Sequence, residues 1–164
     1  MDGRCGQYAA DIRTSRQRKD TVTELRESME ALLKQFQKMN GGVLPAHIIV
    51  YRDGVSDGQF DAVLSVELAA IQDALALCGV EEESKAVKIA IIICQKRHHT
   101  RFVYKHNGAY LNPCPGLCID ATGGDRSVSS ATLNEFYLNS HTAIQGTARP
   151  CKYTLLYDEI GFKV

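Results

Sequence analysis

Residues 47–54 of the chain are His-Ile-Ile-Val-Tyr-Arg-Asp-Gly, an apolar run that ends in two charged residues and a glycine. Its short length and β-branched content predict a buried strand. A second run of this kind, Val87–Cys94, predicts another buried strand. Ligands of α/β sheets gather at the carboxyl ends of parallel strands, where both runs are followed by charged residues. The ends of these two strands are therefore the expected place for a functional site.

Stretches with helical periodicity lie on either side of the first run. Apolar residues recur at steps of three and four from Thr21, and Asn40-Gly41-Gly42 predicts the end of this helix. The same spacing begins again at Phe60 and ends near Cys78-Gly79, where a glycine suits a helix end. A brief alternation of apolar and polar residues over Gln7–Arg13 predicts a further strand.

The order of these elements sets the expected fold. Alternating strands and helices, with continuous apolar strands, predict an α/β domain with a largely parallel sheet covered by helices. Short strands and turns are predicted for the remaining third, including Gly116–Asp120 and Lys152–Tyr157, with the polar segment Ser140–Pro150 between elements. At 164 residues, the chain is expected to form one domain.

Composition indicates a folded protein and excludes several classes. Hydrophobic residues make up 45% of the chain and charged residues 23%, far from the composition of disordered proteins. No apolar run approaches the roughly 20 residues of a membrane-spanning helix, and Met1 is followed by charged residues instead of an apolar signal segment. We therefore expect a protein that is neither membrane-bound nor secreted.

The six cysteines include no repeated CxxC pair, which is typical of reduced thiols in a cytosolic or nuclear compartment. Cys114 and Cys118 lie close together, and with His106 and the His98-His99 pair they could form a zinc site. The loose C-x3-C spacing and the neighbouring prolines and glycine favour an ordinary turn over this site.

Charge is distributed unevenly although the net charge is zero. The segment Lys96–Lys105 carries four basic residues, two histidines and no acid, whereas Asp61–Lys85 carries six acids and one lysine. A polyanion would bind the first segment and avoid the second. Positive charges and short hydroxyl donors suit a phosphate backbone, which makes candidates of Lys96, Arg97, Thr100 and Arg101. The alternative is a solvated charged loop, with one of the two adjacent histidines facing the core.

Three blocks, in the same order, resemble the Argonaute family. Tyr51–Phe60 is YRDGVSDGQF and resembles the family's YRDGVS(E/D)GQF block. Gln95–Phe102 resembles its QKRHHTR segment, and Ser140–Pro150 resembles its SHxxIQGTxRP segment. The resemblance implies an α/β fold with an RNase H-like mixed sheet flanked by helices. It also implies that residues 1–164 are a partial Piwi domain, without its N-terminal strand and its C-terminal helical portion.

The resemblance implies binding of a guide small RNA and a target RNA in RNA interference and gene silencing. Silencing-effector proteins are further expected partners, and the expected location is cytoplasmic or nuclear. It implies RNA contacts by His99 in the second block and by His141, Gln145 and Arg149 in the third. Gly146 would let the backbone approach a phosphate closely. Alternatively, Ile144 and Pro150 pin an ordinary loop.

Cleavage of RNA by an RNase H-like site needs several carboxylates that converge on two divalent metal ions. Asp53, at the end of a predicted strand, is the candidate catalytic residue and metal ligand, unless it only caps the turn into Gly54. Asp20 is the candidate for the family's mobile-loop glutamate, although it is one methylene shorter, and Glu24 is a weaker one. Asp20 could instead be a carboxylate that stabilises the N-terminus of a helix.

The resemblance implies that the other two carboxylate or histidine ligands lie upstream of Met1 and downstream of Val164. Mg²⁺ or Mn²⁺ is therefore expected only if the parent protein completes the site, and the isolated chain is not expected to cleave RNA. The parent is either a guide-RNA-binding silencing protein or an RNA-guided endonuclease. A domain that uses Asp53 to bind a small nucleotide is a third interpretation, which does not explain three ordered blocks.

Overall fold

The computed structural model describes residues 6–14, 24–80, 87–120 and 134–162. Two compact units make up the chain, one of residues 1–48 and 57–89 and the other of residues 49–56 and 90–164. The helices are α1 (Leu25–Met39), α2 (Phe60–Ala62) and α3 (Ala69–Leu77), with a 3-10 turn at Asp57–Gln59 and a π-helical segment at Val63–Leu68. The strands are β1 (His47–Asp53), β2 (Lys88–Gln95), β3 (Tyr104–His106), β4 (Ala109–Leu111), β5 (Leu117–Asp120), β6 (Asn134–Asn139) and β7 (Cys151–Asp158).

In the first unit, α1 and α3 pack against each other. Leu33 of α1 and Ile71 of α3 are buried, as the apolar periodicity predicts. The Asn40 backbone N–H bonds to carbonyls of the last turn of α1, and the chain then turns through Gly41 at a φ of 67°. Both predicted helices are thus confirmed, and Thr21, from which the first helical spacing was traced, lies outside the described ranges.

A π-helical segment between α2 and α3 was not predicted from the sequence. It spans Val63–Leu68 and buries Glu67, which is only 3% exposed, while Val66 is 48% exposed. An extra residue in a helical turn shifts the phase of every later side chain. Apolar spacing alone cannot reveal this shift, because the helix before and after it keeps an ordinary period.

The five-stranded sheet of the fold has the strand order β1-β2-β7-β6-β5. β2 and β7, β7 and β6, and β6 and β5 pair in antiparallel fashion. The sheet is mixed, and an α/β fold with a mixed sheet is confirmed. The prediction of a largely parallel sheet was wrong, because segment 140–150 joins β6 to β7 without the helical crossover that parallel neighbours need.

β1 was predicted to be buried, but among the strands that the structure describes it lies at one edge of the sheet. Its residues alternate between exposed and half-buried, and Tyr51 is 65% exposed. An edge strand has a neighbour on one side only, so its apolar side chains are less covered than a central strand's. β2 has a neighbour on each side, and every residue from Ile89 to Cys94 is buried, which confirms the second predicted strand.

The predicted strand at Gln7–Arg13 is wrong, since residues 6–14 are neither strand nor helix. Tyr8 is 90% exposed and Ile12 is 91% exposed, so the alternation marks no buried face in the described part of the chain. This segment contacts α1 through polar groups instead. Ser28 of α1 donates a hydrogen bond to the Asp11 carboxylate. Within the segment, Arg13 forms an ion pair with the same carboxylate at 2.7 Å.

The last third contains both expected strands, together with β6 and one hairpin that were not predicted. β5 and β7 confirm the strands predicted at Gly116–Asp120 and Lys152–Tyr157. β3 and β4 pair through a tight turn in which Asn107 has a φ of 48° and Gly108 a φ of 80°. An Asn-Gly pair is the usual signal of such a turn, and it was available in the sequence. Among the described helices, none has the length and apolar character needed to span a membrane.

Candidate functional site

Asp53 and Lys96 meet where the neighbouring strands β1 and β2 end. The Lys96 Nζ atom donates a hydrogen bond to Asp53 Oδ2 at 2.7 Å. This hydrogen bond lowers the pKa of Asp53 below its usual range and raises the pKa of Lys96. Both side chains are more than half exposed, so solvent screens their attraction and the pair adds little to stability. Both groups are charged at neutral pH.

A shallow pocket of about 490 Å³ lies beside this ion pair. Its floor includes the stacked rings of Phe136 and Tyr153, whose centroids are 4.9 Å apart. Burial raises the pKa of Cys94 to about 11, so this thiol is protonated at neutral pH. The pocket is lined by Tyr51, Asp53, Ile92, Cys94, Lys96, Phe136, Leu138, Cys151 and Tyr153.

A divalent-metal site needs several oxygen or nitrogen ligands at one point. Among residues 6–14, 24–80, 87–120 and 134–162, no three His, Cys, Asp or Glu side chains converge in that way. One oxygen of Asp53 is already bonded to Lys96. Asp20 lies outside the described residues. The described side chains therefore do not fit a two-metal site or the alternative zinc site, and Cys114 and Cys118 are free thiols.

The two histidines that follow β2 have different environments. His98 is half-buried, its Nε2 atom is 2.8 Å from the Pro150 carbonyl oxygen, and its ring meets the Tyr137 ring edge-on at 5.3 Å. His99 is exposed. One histidine thus faces inward, as expected, and it joins the segment after β2 to the segment before β7.

The predicted phosphate donors of this segment also differ in their contacts. Arg101 uses one guanidinium nitrogen to donate hydrogen bonds to the carbonyl oxygens of His98 and Thr100, at 3.0 and 2.7 Å. The Thr100 hydroxyl is 3.5 Å from the Tyr137 hydroxyl. Arg97 is exposed. Thr100 and Arg101 therefore hold the loop in shape, while Arg97 presents its charge to solvent.

The segment Ser140–Pro150 forms a second pocket, of about 400 Å³. His141, Gln145 and Arg149 all line it, so the structure brings these three predicted site residues together. The Ser140 hydroxyl lies 2.6 Å from His141 Nδ1. Gly146 also lines the pocket. Its φ is 73°, a backbone conformation that residues with a Cβ atom rarely adopt.

Ile144 does not pin this segment, because its side chain is 100% exposed. Pro150 is buried. The tether that sequence reasoning missed is Asn112, whose side-chain amide bonds to the backbone of Gly146 and Ala148. No local signal marks this role, since Asn112 precedes a proline and fits an ordinary turn.

The predicted basic residues do not line a single pocket. Lys96 lines the pocket beside Asp53, whereas Arg149 lines the pocket of residues 140–150. Arg97 and Arg101 line neither of these two pockets. The contact of His98 with Pro150 links the two segments.

Comparisons with known proteins agree with this architecture. The model of the Piwi domain family matches residues 1–164. The chain is 43% identical over 122 residues to Protein argonaute 5 of Arabidopsis thaliana, which covers 74% of the chain. It is 36% identical to Protein argonaute 11 of Oryza sativa subsp. japonica over 87% of the chain. The chain spans only 12% and 17% of the lengths of these two relatives.

Solved structures show the same fold. The C-terminal lobe of a budding yeast Argonaute superposes with a TM-score of 0.70 at 31% identity, over 85% of this chain and 29% of that one. Kluyveromyces polysporus Argonaute with a guide RNA gives a TM-score of 0.70 at 30% identity. Drosophila Piwi gives 0.68 at 29% identity. The last two comparisons each cover 85% of this chain and 18% of the other.

Proposed function

The chain belongs to the Piwi domain family, and from this membership we propose that it binds a guide small RNA and its paired target RNA in RNA-mediated gene silencing. One observation carries the proposal: His141, Gln145 and Arg149 line one pocket. A guanidinium, an amide and an imidazole are suitable donors to phosphate and sugar oxygens. The similar Kluyveromyces polysporus Argonaute was solved with a guide RNA, which supports the same class of ligand here.

Binding of this kind depends mainly on charge. Arg149 in the pocket, and the exposed Arg97 and His99 of the other segment, offer donors to a phosphate backbone. Phosphate contacts fix the position of an RNA without reading its bases. Base pairing between guide and target therefore selects the sequence, and the protein supplies affinity.

Cleavage by the parent protein is a second candidate, and Asp53 favours it. This carboxylate is exposed at the carboxyl end of β1 and is ionised at neutral pH, and the hydrogen bond from Lys96 lowers its pKa further. Two divalent ions would need further ligands beyond the described residues, so Mg²⁺ or Mn²⁺ belongs to this candidate only. The binding function does not depend on it.

We also propose a cellular compartment and a class of protein partner. The cysteine pattern supports a reducing compartment, the cytoplasm or the nucleus, because reduced thiols persist there. Silencing-effector proteins are proposed as partners on the strength of the family alone.

Binding of labelled RNAs by the full-length protein tests the proposed function. Three single-stranded RNAs of unrelated sequence should bind with similar affinity, and Arg149→Ala should weaken all three about equally. Arg26→Ala is a suitable control, because Arg26 is paired with Glu27 on α1, outside the pocket. An Arg149→Ala protein that binds all three RNAs as tightly as the wild type would contradict the proposal.

A further inference from the structure

Residues 140–150 contain neither helix nor strand, so their shape depends on tethers from other segments. The Asn112 side chain supplies two of them. Its Nδ2 atom donates a hydrogen bond to the Gly146 carbonyl oxygen at 2.7 Å, and its Oδ1 atom accepts one from the Ala148 backbone N–H at 2.9 Å. One amide thus binds the backbone on both sides of Thr147.

A second asparagine, at the end of β6, bonds back to the segment that follows β4. The Nδ2 atom of Asn139, at the end of β6, donates to the Pro113 carbonyl oxygen at 3.1 Å and lies 3.4 Å from that of Cys114. The Gly116 backbone N–H donates to the Asn139 carbonyl oxygen at 2.8 Å. Asn139 is 3% exposed, so these bonds are shielded from water. The segment after β4 and the segment after β6 therefore hold each other.

The residues around Gly146 differ widely in burial. Ile144 is fully exposed and anchors nothing, while Ala148 is buried next to the bonded N–H. Gln145 and Arg149, which flank the tethered residues, are exposed and line the pocket. Without Asn112, a glycine with a φ of 73° would have access to many other backbone conformations. The backbone that carries Gln145 and Arg149 would then be less restricted.

We propose that Asn112 is a positioning residue for RNA binding, one that orients the 140–150 pocket without itself contacting RNA. This inference rests on the proposed function. One donor hydrogen and the acceptor oxygen of the Asn112 amide are already engaged by the loop backbone. The residue acts by reducing the number of conformations that RNA binding would otherwise have to select from. It contributes no charge, and so no dependence of affinity on salt.

The test compares Asn112→Ala with Arg149→Ala in the full-length protein, with a labelled single-stranded RNA titrated at several salt concentrations. Asn112→Ala should weaken RNA binding by about tenfold, the factor expected for roughly one net hydrogen bond, and leave the salt slope unchanged. Arg149→Ala should weaken binding too, and it should make the salt slope shallower by roughly 0.7–0.9, the change expected when one phosphate contact is lost. Amide hydrogen exchange at Ala148 should rise in Asn112→Ala and not in Arg149→Ala.

Asn40→Ala is the matched control, because Asn40 also uses its side-chain amide to bond a backbone carbonyl, that of Phe36 at the end of α1. It should lower the melting temperature without changing RNA affinity.

Asn112→Ser, which keeps a short polar group, should bind RNA with intermediate affinity, and it gives a second variant if Asn112→Ala does not fold. Wild-type affinity in both Asn112 variants, alongside a reduced slope in Arg149→Ala, would overturn the inference and leave the proposed function standing. Failure of the wild-type protein to bind RNA would overturn both.

Discussion

Lys96 donates a hydrogen bond to Asp53 at 2.7 Å, so one of the residues expected to contact RNA is bound to the residue expected to hold a metal ion. Each charge is satisfied by the other in the described structure. A phosphate that binds Lys96 would compete with Asp53, and a metal ion that binds Asp53 would compete with Lys96. The two expected roles are therefore not independent.

Lys96→Met should raise the pKa of Asp53 toward its usual value of 3.8, because the hydrogen bond from Lys96 is the largest cause of its lowering. A carboxylate with a lowered pKa in the folded state contributes stability above its usual pKa and loses it as the pH falls through the lowered value. NMR titration of the Asp53 carboxyl carbon measures the shift. Lys34→Met, which breaks a pair on α1, should leave this titration unchanged. An unchanged midpoint in Lys96→Met would contradict the ion pair.

A buried ion pair on β6 and β7 should be essential for stability. Lys152 Nζ is 2.8 Å from Glu135 Oε1, and these side chains are 14% and 3% exposed. Lys152→Met would leave the Glu135 carboxylate buried without its cation, which typically costs about 3–5 kcal/mol. Chemical denaturation measures this loss. Lys34→Met breaks a pair in which Lys34 is 60% exposed, and should cost about 1 kcal/mol or less. Equal losses in the two variants would show that burial does not matter here.

Ile71→Ala should destabilise the unit that contains α1 and α3, because Ile71 is completely buried. Large-to-small changes of this kind cost about 2–5 kcal/mol, since they leave a cavity. Leu77→Ala, in the same helix at a position that is 58% exposed, should cost much less. The free energies of unfolding of both variants measure the difference. A smaller loss for Ile71→Ala than for Leu77→Ala would contradict the packing of α3.

The 164-residue chain alone should not cleave RNA in the presence of Mg²⁺ or Mn²⁺. Asp53, with one oxygen bonded to Lys96, cannot hold two metal ions at a separation of roughly 4 Å. Incubation with a guide RNA and a labelled target measures any cleavage. Guide-directed cleavage that disappears in Asp53→Ala would contradict this prediction.

The sequence alone predicted several elements from strong local signals, although the Asn-Gly hairpin of β3 and β4 was missed and the alternation at Gln7–Arg13 was misleading. The apolar runs at β1 and β2 and the helical spacing of α1 and α3 were sufficient, because burial and periodicity are written into neighbouring residues. The neighbour of each strand was not predictable in the same way. β7 lies beside β2, far from it in the chain, and this pairing depends on contacts that no window of sequence contains.

The residues of the candidate site also divide into those marked by a local block of sequence and those whose partners lie far away in the chain. His141, Gln145 and Arg149 lie within one block of sequence and were predicted as RNA contacts, and the structure places all three in the lining of one pocket. The pairing of Asp53 with Lys96 was not predicted, although each was a candidate, because the two are 43 residues apart. Asn112 was missed altogether, since its partners lie 34 and 36 residues further along the chain.

Salt dependence of RNA binding tests the central claim, that the 140–150 pocket binds an RNA phosphate through Arg149. The full-length wild-type protein and its Arg149→Ala variant would be titrated with one single-stranded RNA at a series of salt concentrations, with Arg26→Ala as the charge-matched control. In a plot of the logarithm of affinity against the logarithm of salt concentration, the slope of Arg149→Ala should be shallower than that of the wild type by roughly 0.7–0.9. The slope of Arg26→Ala should equal that of the wild type. Identical slopes for all three proteins would mean that Arg149 does not contact phosphate, and would contradict the account.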